Sequence, residues 1–426
     1  MSNFGYRAGI LTCDQVPLAE IAAQVGTPVY VYSLTEIAAR YRAYAAAFPG
    51  ALIAYAYKAN ANPALCRFLT QLGAGADVVS GGELFIARQA GVPAGRIVFN
   101  GTGKTRREIT AALAGGVRAI NLDAAEELET VARLAGETGT QAPVALRVNP
   151  AVATDTHRHV ATGRRGSHFG VPLDQALTVG QRAAGTPGIA LVGVHSHIGS
   201  QITAVTPFVA AAERLADLVG ALRRVGVSVQ HMNLGGGLGI GYQNETPPTP
   251  AELAAALRPI VQPLAVDLIL EPGRWLVGPA GALVTTVIHV KRGGPDEPDR
   301  VVVDAGMNAL LRPALYEAWH AIWPLRQEPA SGHFDVVGPV CESADVLGRD
   351  RALPPLAPGD RLAILDAGAY GYAMASTYNG RPRPAEVAVR GDCWWVIRQP
   401  ETYADLVAGA VIPPEMLADS PTVATS

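Results

Sequence analysis

Cysteine is scarce and scattered: Cys13, Cys66, Cys341 and Cys393 are the only four in 426 residues, and none has CxxC spacing. That disfavours both a disulfide framework and a cysteine zinc site. An excess of either charge is also missing. Lys and Arg total 34 against 37 Asp and Glu, a formal charge of −3, so no basic field exists to gather nucleic acid or an anionic membrane. No uninterrupted apolar stretch reaches the roughly 20 residues needed to span a bilayer. The start, Met1 to Gly9, lacks the basic-then-apolar order of a secretory leader. These absences point to a soluble, cytoplasmic protein that works on small molecules.

What the chain does contain is alternation. From 34 to 280, short β-branched runs alternate with longer Ala/Leu/Glu segments of helical period, the pattern of repeated βα units. Candidate strands are 51–57, 77–80, 97–100, 118–122, 144–148, 190–196, 230–234 and 267–271. Eight of them, each followed by a helical pattern, are what a closed (β/α)8 TIM barrel requires; a doubly wound sheet fits the count less well. Ser33 with Glu36 and Thr105 with Glu108 have capping-box spacing ahead of amphipathic stretches. After Gly281 the texture changes to strand-like runs at 283–291, 300–303, 334–337, 361–365, 386–389 and 393–398, punctuated by Gly, Pro and Asp. The expected architecture is α/β: a barrel over 34–280 and a second, mainly antiparallel β domain from 1–33 and 281–426, with 28–32 joining it. The end, 413–426, reads as a loose tail. At this length two domains are the default.

In such a barrel the reactive groups sit where strands end. The first strand ends Tyr57-Lys58-Ala59-Asn60; a lone lysine there is most often a surface or ion-paired residue, so its neighbours decide. The seventh runs into Gly235-Gly236-Gly237-Leu238-Gly239, where backbone N–H groups can approach an anion. Such a turn also arises wherever a βα connection must be tight. The eighth ends Glu271-Pro272-Gly273-Arg274, a carboxylate and a guanidinium that otherwise need only pair with each other. The sixth ends His195-Ser196-His197, both imidazoles on one face by alternation. A metal hydrolase uses an HxH pair with further His and Asp ligands, and the remaining strand ends offer a poor set. An amine for a covalent cofactor, glycines and Ser200 for a phosphate, a ring to stack and a carboxylate for a pyridine nitrogen together describe a site for pyridoxal phosphate.

The motifs then match a family. The chain resembles the diaminopimelate decarboxylases, of the alanine-racemase-like barrel class, through Tyr57-Lys58-Ala59-Asn60, Gly75-Ala76-Asp77-Val78-Val79-Ser80, His197-Ile198-Gly199-Ser200-Gln201, Leu234-Gly235-Gly236-Gly237-Leu238-Gly239 and Glu271-Pro272-Gly273-Arg274. Asp304-Ala305-Gly306-Met307-Asn308, Arg312-Pro313-Ala314-Leu315-Tyr316, Cys341-Glu342-Ser343 and Gly368-Ala369-Tyr370-Gly371 continue the match in the family's order, along nearly the whole length.

The resemblance implies conversion of meso-diaminopimelate to L-lysine and CO2, the last step of lysine biosynthesis. It implies that Lys58 carries pyridoxal phosphate, that His197 stacks on it and that Glu271 binds its nitrogen. Asp77 joins the cofactor set, and Gly237, Pro272, Gly273, Arg274, Ser200 and Tyr370 surround the phosphate end. Arg274, Arg312 and Tyr316 would grip the distal carboxylate beside Tyr370, and Glu342 the distal amine. Cys341, or Lys58, would deliver the proton. In the family Cys341 and Glu342 come from the partner of a homodimer. His168 stands where the family usually has lysine, and 154–165 is rich in His and Arg; this reads as variation in a surface loop, with altered substrate preference as the alternative. The rival readings are a decarboxylase of ornithine, arginine or a carboxylated polyamine, an amino acid racemase, and a catalytically silent regulatory relative.

Overall fold

The computed structural model describes residues 3–152, 168–295 and 297–416. Eight parallel strands close into a barrel: β1 Leu52–Ala56, β2 Gly75–Val78, β3 Ile97–Phe99, β4 Ala119–Leu122, β5 Ala142–Asn149, β6 Ile189–His195, β7 His231–Asn233 and β8 Asp267–Leu270. They pair in order and β8 returns to β1 through Ile269 opposite Leu52. Every predicted barrel strand is present, its ends shifted by at most two residues.

Strand alternation divides each barrel segment between two environments. Tyr55, Phe99, Leu122, Leu146 and Met232 are buried within the main hydrophobic cluster. Leu52, Ala54, Val98, Ala119, Ala145 and Ile269 form a separate small cluster of their own. Two residues beyond Val98, Ala119, Ala145 and Ile269 along their strands come Asn100, Asn121, Arg147 and Glu271, all buried polar groups. The period of two therefore stacks a polar layer directly on an apolar one, at the ends of the strands.

A second sheet runs in the order Val346–Leu353, Gly332–Val337, Asp299–Val303, Gly281–Lys291, Val29–Ser33, Ala385–Arg390, Cys393–Arg398, with Arg361–Ile364 and Ile322–Pro324 branching from it. It is mainly antiparallel, but Val29–Ser33 lies parallel to Ala385–Arg390, and Asp299–Val303 parallel to Gly332–Val337. The expected entry of 28–32 into this sheet is thus present. Phe4–Arg7, Ile322–Pro324 and Val346–Leu353 were not anticipated. The last contains Gly348 and the charged run Arg349-Asp350-Arg351, a poor strand by propensity, and it forms as the antiparallel partner of Gly332–Val337.

The two expected capping boxes differ. Thr105 and Glu108 make both reciprocal bonds. Ser33 caps the helix Leu34–Ala47, but Glu36 turns its carboxylate to Arg40 instead, 2.7 Å away. Of the tail, 417–426 lies outside the described residues. Among those described, no helix is long and apolar enough to cross a membrane.

Candidate active site

A cavity of about 530 Å³ opens at the strand ends, lined in part by Lys58, His197, Ser200, Glu271, Arg274, Tyr316 and Tyr370. A groove of equal volume beside Phe48, Leu257 and Arg258 has none of these groups. Lys58 sits in the single turn Tyr57–Ala59 after β1 and bonds to Asp77, which is fully buried at the end of β2. About a third of the lysine side chain, 34%, faces the opening.

Behind the lysine runs a continuous hydrogen-bonded chain. Asn100 Nδ2 donates to Asp77 Oδ1 at 2.6 Å and to Glu271 Oε1 at 2.8 Å. Asn121 in turn donates to Asn100 Oδ1 at 2.5 Å. Asn233 Nδ2 donates to Glu271 Oε1 at 2.7 Å, and His195 Nε2 lies 3.2 Å from Oε2. Burial disfavours the charged Glu271, yet His195, Lys58 and Asn233 outweigh it and hold the carboxyl well below the usual range. Asp77 goes the other way, raised by burial and by Glu271. Burial pulls the Lys58 amine down, but Asp77, Tyr370 and Glu271 raise it above its ordinary value. The site thus contains one carboxylate kept ionised and one made reluctant.

His197 lies just past β6 and accepts the Gly236 N–H through Nδ1 at 3.2 Å. Burial, with Lys58 and Arg147 nearby, pushes it down to about 3, so it presents a neutral ring. Gly236 and Gly237 are required by close approach. A Cβ on Gly236 would overlap the Glu271 carbonyl, and one on Gly237, where φ is +113°, would strike the Gly199 carbonyl. Arg274 donates to Ser200 Oγ through Nε at 3.3 Å and Nη2 at 3.0 Å, and lies 5.0 Å from the Tyr370 ring. Arg312 is buried behind it.

Not every predicted residue converges. Cys341 and Glu342 are exposed and absent from the cavity wall: the Cys341 N–H donates to Asn379 Oδ1 at 2.8 Å, and Tyr378 donates to Glu342 at 3.0 Å. His168 is exposed with its ring 4.0 Å from that of Phe169, a wall residue, while 154–165 lies outside the described residues. Arg147, Asn100, Asn233 and Tyr242 escaped the sequence reading. Arg147 lines the cavity, paired to Asp123 at 2.6 Å and 4.7 Å from the Phe169 ring. The signal was available: counting two residues on from the inner apolar positions finds Asn100 and Arg147. Among the described residues no group of three His, Cys, Asp or Glu could hold a metal.

Lysine, ionised carboxylate, neutral imidazole and glycine-lined turn at the end of a closed parallel barrel define the class of barrel enzymes that hold a phosphate-bearing aldehyde cofactor on a lysine. Residues 34–278 match the family "Pyridoxal-dependent decarboxylase, pyridoxal binding domain". Diaminopimelate decarboxylase from Pseudomonas aeruginosa is 44% identical over 97% of this chain and all of its own length. That of Aquifex aeolicus is 44% identical over 94% of this chain and 96% of its own. Diaminopimelate decarboxylase from M. jannaschii, solved with L-lysine, superposes with a TM-score of 0.92 at 41% identity, covering 97% of this chain and 98% of that one. The chain belongs to the diaminopimelate decarboxylase family, and its cofactor is pyridoxal phosphate.

The residues present fit that group. Arg274 and Arg312 are buried; among the described residues no carboxylate bonds to either, and Arg312 Nε has no hydrogen-bond partner. Buried guanidiniums with no carboxylate bonded to them call for an anionic ligand. Gly236 and Gly237 let the turn after β7 pack tightly against the Glu271 and Gly199 carbonyls, and Glu271 is held anionic at the barrel end, bonded to Asn100, Asn233 and His195.

Proposed function

We propose that this chain removes one carboxylate of meso-diaminopimelate, giving L-lysine and CO2. The observation that carries the reading is the pair of buried guanidiniums, Arg274 and Arg312, with no carboxylate bonded to them among the described residues. A substrate whose far end carries a second carboxylate supplies the missing charge. Ornithine, arginine or a polyamine would leave both cations unpaired, at a cost that selects against them.

When bound, pyridoxal phosphate supplies the electron sink that takes the pair left on Cα as the bond to CO2 breaks. Lys58, which faces the cavity, would hold the cofactor. Glu271, kept ionised, would favour a protonated ring nitrogen, and His197, kept neutral, would lie against the ring without adding charge. Gly237, Pro272, Gly273, Arg274, Ser200 and Tyr370 would surround the phosphate end; Arg274, Arg312 and Tyr316 would fix the distal carboxylate beside Tyr370, with Glu342 on the distal amine, and so orient the reacting carboxylate. Cys341 and Glu342 act in a second copy of the chain, so the working form is a homodimer, with Cys341 or Lys58 as the donor of the proton to Cα. The reading includes a barrel domain at 34–280, a β domain from 1–33 and 281–426, and action in the cytoplasm.

The test is release of CO2 and L-lysine from meso-diaminopimelate by the purified protein with added cofactor, Lys58→Ala serving as blank. Equal release of both, absent in the variant, is expected. Turnover of ornithine, arginine or a carboxylated polyamine instead would retain the cofactor chemistry and overturn the clamp.

A further inference from the structure

Tyr242 follows the glycine run by three residues and is buried behind the cavity rather than in its wall. Its phenol oxygen accepts from Arg274 Nη1 at 2.7 Å and from Arg312 Nη1 at 2.6 Å. A phenol oxygen has two acceptor lone pairs, and here two guanidiniums occupy them. Both cations also lie near the face of its ring, with their central carbons 5.8 and 4.9 Å from the centroid.

The two arginines reach this oxygen from distant parts of the chain, one just after β8 and the other from the helix Arg312–Tyr316 of the C-terminal portion. Side by side in a buried place, they repel each other. Burial and Arg274 both draw Arg312 down, and Tyr242 opposes them. The ring itself is held. His320 stands edge-on to it at 5.2 Å and 76°, with Nδ1 2.8 Å from the Leu365 carbonyl. Burial and Arg312 push His320 down to about 3, so it braces the ring without adding a third positive charge. The Tyr242 N–H donates to Glu245 at 3.0 Å.

We infer that Tyr242 is the positioning residue that sets the spacing of the Arg274–Arg312 pair, and through it the selectivity for substrates bearing a second carboxylate. The inference rests on the function proposed above. Tyr242 touches neither substrate nor cofactor; it fixes where two cations point. Without its oxygen the pair is free to separate, and a ligand carboxylate must then gather them itself.

The experiment compares wild type with Tyr242→Phe in the cofactor-loaded enzyme. KM for meso-diaminopimelate is expected to rise roughly tenfold to a hundredfold, with kcat falling by less. L-lysine, which keeps the distal carboxylate, should weaken as an inhibitor by the same factor, whereas cadaverine, which has none, should not change. Cofactor loading, followed by visible absorption, should fall far less than affinity for lysine. In an Arg312→Gln background the Phe substitution should add little, since the partner it spaces is gone. Tyr242→His, able to accept from only one guanidinium, should lose an intermediate amount and serves if the Phe variant does not fold. Wild-type enzyme inactive on meso-diaminopimelate would sink the functional reading and this inference with it. Active wild type with unchanged KM and lysine affinity in the variant, or equal weakening of lysine and cadaverine, or full additivity with Arg312→Gln, would overturn the role of Tyr242 alone.

Discussion

Asn100 is the joint of the polar layer, and its replacement by alanine tests whether that layer is as coupled as the geometry indicates. Its amide donates to two buried carboxyls, Asp77 at 2.6 Å and Glu271 at 2.8 Å, and accepts from Asn121 at 2.5 Å. A hydrogen bond to a charged group contributes about 1.5–3 kcal/mol net, and the Asn121 donor left unsatisfied costs about 1–3 kcal/mol more. Glu271 keeps Asn233 and His195, and water from the adjoining cavity recovers part of the loss. The expected destabilisation is therefore about 3–5 kcal/mol, large against the roughly 5–15 kcal/mol that keeps a domain folded. Urea unfolding reads it as a lower midpoint at constant slope. The share belonging to Asp77 should shrink as pH falls and that carboxyl takes up its proton, because a donor favours the charged form. Cofactor affinity should fall too, as Asp77 loses one of the bonds that hold it against Lys58. A loss under about 1 kcal/mol with unaltered cofactor affinity would refute the coupling.

Two further outcomes follow from local geometry. Gly236→Ala forces a methyl onto the Glu271 carbonyl, so it should lower stability by about 1–3 kcal/mol and abolish cofactor uptake; Gly136→Ala, in open space on the helix Glu127–Thr138, should instead stabilise by about 0.5–1 kcal/mol. Equal melting temperatures and equal uptake for the two would contradict the cradle. Glu83→Gln addresses a carboxyl that burial pushes up from 4.5 to about 7. A raised carboxyl gives its full stability below its unfolded value and loses it as pH rises through the folded one. Wild type should therefore lose roughly 3 kcal/mol relative to the Gln variant between about pH 4.5 and 7, and parallel melting curves at pH 5 and pH 8 would rule this out.

The barrel was legible because each strand carries its own turn signals and the eight repeats reinforce one another. Lys58, Glu271 and the glycine run were legible for the same reason: each ends a recognisable strand. Asn100 and Asn233 end strands too, but an asparagine there is equally a turn residue, and only the partner across the barrel distinguishes the two. Tyr242 was harder still. It lies in a loop, and its role depends on Arg312, seventy residues later, reaching the same point in space. Val346–Leu353 was missed because it is a strand by virtue of its neighbour and not of its own composition.

Charge along the cavity gives the arrangement a direction. At the lysine end every cation in contact has an acid: Lys58 has Asp77 and Arg147 has Asp123. Glu271 adds a further negative charge beneath, neutral donors surrounding it. At the far end Arg274 and Arg312 share the Tyr242 phenol oxygen, with no carboxylate bonded to either among the described residues. A ligand of uniform character gains little from such a gradient. One with an amine at the lysine end and a carboxylate at the far end satisfies both parts. On the function proposed, the gradient favours a ligand with a carboxylate at its far end, and because the two ends of a diamino diacid carry the same groups, the choice between them falls to their opposite configurations.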